Sequence, residues 1–179
     1  MKKLIDLIPP DELRDKLDQT CCELEPDFLC FEDVYQAVAK WVPKEYIIVD
    51  LGCYMAAQSY LFQDHKGYIG VDCYDMEGNL DLEHYIPPVR FRTKNSAHIS
   101  AVIQNYAVFA EVKGLTRVSY AICSAVPDRF AQEVAFQCFE NCLIWYPGEK
   151  PRTRGIFAHE IMKELWKPWE KRDETIPWN

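Results

Sequence analysis

A chain of 179 residues has room for one domain with a sizeable core and too little for two ordinary ones. Its 49% apolar and 27% charged residues are the balance of a folded protein. A formal charge of −8 opposes binding to phosphate backbones, which needs a surplus of Lys and Arg, so nucleic acid is not an expected partner.

No run approaches the roughly 18 apolar residues of a membrane span. Met1-Lys2-Lys3 leads into an apolar stretch broken by Asp6 and Pro9-Pro10, too interrupted for a signal peptide. The eight cysteines are therefore expected to be reduced, in the cytoplasm. None falls in Cys-x-x-Cys spacing, and most sit in apolar segments where a thiol acts as a small hydrophobe. Lys150, Arg152 and Arg154, followed by Lys163, Lys167, Lys171 and Arg172, read as solvated surface.

Residues 1–45 read as a helical extension. Leu13, Leu17 and Cys21 recur every four residues, and Phe31, Val34, Tyr35, Val38 and Trp41 share one face of a second helix that Pro43 ends. The core spans 46–147. An unbroken apolar run over 46–51 predicts a buried parallel strand. A turn at Gly52, a helix from about residue 56 to 62 and a strand over 67–72 follow. Residues 89–92 alternate apolar and basic side chains, which suits a sheet edge.

Asn95-Ser96 is placed to cap a helix whose stripe is Ile99, Val102, Ile103, Tyr106 and Ala110, ending near Gly114. A fourth strand over 118–123 leads through Ser124 and Asp128 into a helix with Phe130, Val134 and Cys138, and a fifth strand covers 142–146. Residues 148–179 predict a helix across 159–166 and a tail. Trp166, Trp169 and Trp178 mark this end, which either folds back over the sheet or docks on a protein partner or a second copy. Alternating strands and helices predict a single α/β domain with a mostly parallel five-stranded sheet and helices on both faces, a three-layer αβα sandwich.

One segment bears on function. Val49-Asp50-Leu51-Gly52-Cys53, followed by Gly70-Val71-Asp72, is a strand, tight turn, helix and strand with a carboxylate twenty residues after the glycine. At that spacing a ribose can be held by its hydroxyls. These residues resemble the first two motifs of the class I S-adenosylmethionine-dependent methyltransferases. The resemblance covers roughly residues 30 to 147 and departs from the family at Tyr54 and Ala56, which stand where its loop has its second and third glycines. It also lacks the family's last two strands.

The resemblance implies a Rossmann-like sheet in the order 3-2-1-4-5 and S-adenosylmethionine as cofactor. It places Asp50 near the methionine amino group, and Gly52 and Cys53 on the loop passing the cofactor. Tyr54 would turn outward or lie along the ligand, or else fill the pocket; Asp72 would accept from the ribose hydroxyls. Asn95-Ser96 stands where the family contacts adenine, although a helix cap explains the pair as well. The expected activity is methylation of a small molecule or a protein. The alternative is a non-catalytic relative using the scaffold for binding or assembly, which Tyr54, Ala56 and the missing strands favour. Asp128 and His98 are the available bases, and His159-Glu160 lacks the second His of a zinc helix, with Lys163 in its place.

Overall fold

The computed structural model describes residues 6–7, 31–53, 56–72, 89–91, 99–124, 126, 128–146 and 149–173. The expected helix around Leu13, the Asn95-Ser96 cap, His98 and Trp178 lie outside them.

Helix α1, Phe31–Trp41, carries Glu32 and Asp33 in its first turn and Lys40 in its last, which complements the helix dipole. Strand β1, Ile47–Leu51, is buried along its whole length, as is β2, Gly67–Val71. Between them lies a 3₁₀ segment, Ala57–Phe62, rather than an α-helix. Strand β3, Val89–Phe91, precedes α2, Ile99–Val112. After Gly114 a short helix α3, Leu115–Val118, takes up the start of the segment expected to be strand, so β4 runs Ser119–Ser124. Helix α4, Arg129–Cys138, and strand β5, Cys142–Trp145, complete the alternating core.

Sheet neighbours run β3-β2-β1-β4-β5 and then a sixth strand, β6, Arg152–Arg154. The first five pair in parallel and β6 pairs antiparallel with β5. The sequence reading is corrected here: the sheet has six strands, and two of the basic residues assigned to solvated surface are a sheet edge. Thr153 faces inward, its hydroxyl donating to the Cys142 carbonyl at 2.9 Å and meeting the Tyr120 hydroxyl at 2.8 Å. Arg152 pairs with Glu133, and Arg154 donates to the Phe136 carbonyl at 2.8 Å. Both guanidinium groups lie over the Phe136 ring, 4.7 and 5.6 Å from its centroid. A short, charged edge strand of this kind resists pairing with another chain.

Alternation along the strands sends two sets of side chains to opposite faces. Ile47, Val49, Leu51, Ile69, Val71, Ala121 and Ile144 pack with α2 and α4. Ile48, Tyr68, Tyr120, Ile122, Leu143 and Trp145 pack with α1, the 3₁₀ segment and α5, Ala158–Asp173. Lys40 and the Trp41 indole donate to Glu164, joining α1 to α5 over the second face. Among the described residues no helix is long and apolar enough to cross a membrane.

His65, just before β2, is a buried polar group whose ring makes one hydrogen bond among the described residues. Its Nε2 donates to the Val42 carbonyl at 3.3 Å, while Nδ1 has no hydrogen-bond partner among the described residues. The Phe62 ring meets it edge-on at 5.2 Å. Burial, followed by the nearby Lys44 charge, pushes the imidazole down to about 4, so this histidine is held neutral.

Candidate functional site at the carboxyl ends of β1, β2 and β4

In an open α/β sheet the crevice forms where the strand order reverses, here between β1 and β4, whose neighbours are added on opposite sides. The chain leaves β1 through Gly52, whose φ of +89° is natural to glycine. A Cβ there would lie 2.7 Å from Val126 Cγ2 and 3.4 Å from the Ser124 carbonyl, so the turn is packed directly on the segment following β4. Ala56 keeps a positive φ of 55°, a left-handed backbone that costs a non-glycine residue about 1 kcal/mol.

The amides of Gly52, Cys53 and Ala56, the described residues of the loop, are spent within the protein. Gly52 and Cys53 both donate to the Val71 carbonyl, at 2.7 and 3.2 Å, and Ala56 donates to the Cys53 carbonyl at 2.8 Å. Cys53 lies against Gly70 of β2, with its Sγ 2.7 Å from where a Cβ on Gly70 would stand. Tyr54, Asn95 and Ser96 lie outside the described residues.

Asp50 and Asp72 are brought to the same end of the sheet. Asp72 directly follows Val71, which is paired with Leu51, so it stands beside the Gly52 turn, and it is buried. Asp50, on β1, is buried at 0% exposure and faces α1. Tyr35 of α1 donates to Oδ1 at 2.7 Å, and Tyr68 of β2 donates to Oδ2. The Tyr35 hydroxyl lies 2.6 Å from Ser124 Oγ at the end of β4. Burial pushes the Asp50 carboxyl up to about 7 against the opposing pull of the two tyrosyl donors, with the Asp72 charge adding to the rise. Burial likewise drives both tyrosines well above their ordinary value.

Sequence reasoning missed Tyr35 and Tyr68; it placed Ser124 at the crevice end of the fourth strand but not its contact with Tyr35. The available signal was register: Asp50 shares a face with Ile48, whose β2 partner is Tyr68, and Tyr35 occupies the inward stripe of α1. A carboxylate in an apolar strand requires donors, and tyrosine brings one into a core while filling space.

Asp128, considered above as a base, is the N-cap of α4. Its Oδ1 accepts from Phe130 N at 2.8 Å and Ala131 N at 3.2 Å. Asp128→Ala is expected to cost about 1 kcal/mol in urea unfolding and Asp128→Ser a few tenths, the pattern of a cap.

Two cavities lie elsewhere. One of about 80 Å³ beyond β5 is crossed by the Arg129–Glu149 and Arg152–Glu133 pairs and is far below the size of a nucleoside site. The other, about 280 Å³, is lined by Leu7, Ala39, Lys44, Tyr60 and Asp64. Lys44 precedes β1 and Asp64 precedes β2, so this cleft is at the amino ends of the strands, opposite to the crevice. Among the described residues no group of three or more His, Cys, Asp or Glu could hold a metal ion.

The chain matches no protein-family model, no curated protein and no solved structure. The functional reading accordingly rests on the site's own geometry.

Proposed function

We propose that the chain is a methyltransferase-like protein of three-layer α/β architecture that takes S-adenosylmethionine at the carboxyl ends of β1 and β2 and methylates a small molecule or a protein. The observation that carries this reading is the placement of Asp72 beside the Gly52 turn, next to the point where the strand order reverses. A carboxylate oxygen pair there offers acceptors suited to two ribose hydroxyls. Bound S-adenosylmethionine would supply an activated methyl group, and the transfer demands alignment more than acid–base power.

A second reading has its own support. Two loop amides are given to Val71, and both Asp50 oxygens are given to tyrosines. A loop satisfied this way needs no ligand to be stable, which suits a non-catalytic scaffold that binds or assembles through its surface.

Calorimetric titration with S-adenosylmethionine and S-adenosylhomocysteine separates the two. The first reading expects micromolar binding that falls at least tenfold in Asp72→Asn, with the unfolding midpoint of that variant kept close to wild type. No binding by wild type, with binding gained by Tyr54→Gly, supports the second.

A further inference from the structure

Ser124, Tyr35 and Asp50 form a continuous hydrogen-bonded line. It starts at the last residue of β4, crosses to α1 and ends on β1, with contacts of 2.6 and 2.7 Å. Every member is at most 1% exposed, which keeps bulk water from short-circuiting the line. Hydrogen-bond direction along it is fixed by the charge on Asp50. With the carboxyl ionised, Tyr35 gives its one proton to Oδ1, so Ser124 must donate to the Tyr35 oxygen and keeps its own lone pairs for another group. With a proton on Oδ1, Asp50 donates to the Tyr35 oxygen, Tyr35 donates to Ser124 Oγ, and the serine proton is turned away from the line. Protonating one end therefore reverses the donor at the other.

We propose that Ser124, Tyr35 and Asp50 are a proton relay between the carboxyl end of β4 and the core, taking a proton from a methyl acceptor that carries it on a hydroxyl or amine and whose binding uncovers Ser124, buried in the unliganded protein. The inference rests on the methyltransferase reading for its acceptor, and its test does not. The proton count closes: the acceptor's proton goes to Ser124 Oγ, the serine proton to Tyr35 Oη and the tyrosine proton to Asp50 Oδ1. One proton leaves the acceptor and one arrives on the carboxyl, with both hydroxyls restored. Tyr68 remains on Oδ2 and holds the carboxyl in place. Among the described residues the other titratable groups around the line are Cys53 beside both tyrosines, Asp72 near Asp50, and Cys123, which feels the Asp50 charge. A carboxyl titrating near neutrality both takes up and returns a proton.

The relay is tested by following the Asp50 carboxyl carbon by NMR against pH in wild type, Tyr35→Phe, Ser124→Ala and Ser124→Thr, with no ligand present. Tyr35→Phe removes a donor to the ionised form and is expected to raise the midpoint by about 0.7 pH unit, the worth of one hydrogen bond. Ser124→Ala, which touches no atom of Asp50, removes the acceptor that Tyr35 needs when Asp50 is protonated. It also removes the bond that Tyr35 accepts when Asp50 is ionised, but an orphaned donor costs more than an under-filled oxygen, so the midpoint is expected to fall by less than Tyr35→Phe raises it, and Ser124→Thr is expected to leave it in place. An unchanged midpoint in a folded Ser124→Ala protein overturns the relay, whatever Tyr35→Phe does and whether or not S-adenosylmethionine binds.

Discussion

Between pH 4 and 6.5, Asp50→Asn and His65→Phe are expected to tilt the unfolding free energy in opposite directions, each by about 3 kcal/mol across the window relative to wild type. The Asp50 carboxyl rises on folding from 3.8 to about 7, so over this range the native state holds a proton that the unfolded chain has released. Stability from this group is greatest below pH 3.8 and is lost as pH rises toward 7. His65 falls on folding from 6.5 to about 4, so over the same range the unfolded chain holds a proton that the native state refuses. Stability from this group is greatest above pH 6.5 and is lost as pH falls toward 4.

Each slope is about 1.4 kcal/mol per pH unit with opposite sign, so in wild type the two offset. Asp50→Asn should unmask the histidine, giving stability that rises with pH relative to wild type. Asparagine also mimics the protonated carboxyl, donating to one tyrosine while accepting from the other, so the cluster keeps its shape. His65→Phe keeps an aromatic ring against Phe62 and should unmask the aspartate, giving stability that falls with pH. Urea unfolding at half-unit intervals reads both. Parallel profiles for wild type and both variants would mean that neither buried group changes its proton affinity on folding.

What the sequence made legible follows from periodicity. Strands β1, β2, β4 and β5 are short apolar runs between turn residues, and α2 and α4 carry core stripes at helical spacing, so the α/β class could be read directly. Strand β6 could not. Arg152-Thr153-Arg154 has no apolar side chain, and it is strand because Thr153 bonds inward while the arginines cover Phe136. The 3₁₀ segment was read simply as helix because its distinction is hydrogen-bond spacing rather than pattern. At the site, Asp50, Gly52 and Asp72 were found because they belong to one contiguous motif. Tyr35 and Ser124 lie 15 residues before and 74 residues after Asp50 and are joined to it by tertiary packing alone. Local pattern carries no information about such a contact.

Packing of the loop on β2 supplies the second large effect. Gly70→Ala would put a methyl group 2.7 Å from Cys53 Sγ, 3.3 Å from Cys53 Cβ and 3.4 Å from Tyr68 Cε1. The expected cost is about 2 kcal/mol, because the thiol and the ring are both buried. Cys53→Ala alone should cost about 1 kcal/mol through the small void it leaves. In Gly70→Ala/Cys53→Ala the new methyl occupies the place of the lost sulfur, so the double variant should be at least 1 kcal/mol more stable than the sum of the single effects predicts. Additive costs across the four proteins in urea unfolding would mean that Cys53 does not fix the loop on β2.

The consequence reaches the site because Cys53 is the residue after Gly52, and both amides share the Val71 carbonyl. Pushing the sulfur away from Gly70 also pulls on the turn that packs against Val126 and on the Tyr68 ring that holds Asp50. Gly70→Ala alone should therefore disturb the Asp50 titration, and the double variant should restore it toward wild type. Stability and the carboxyl's proton affinity would then respond together to one steric contact, as expected if the loop, β2 and the buried carboxyl form a single packed unit.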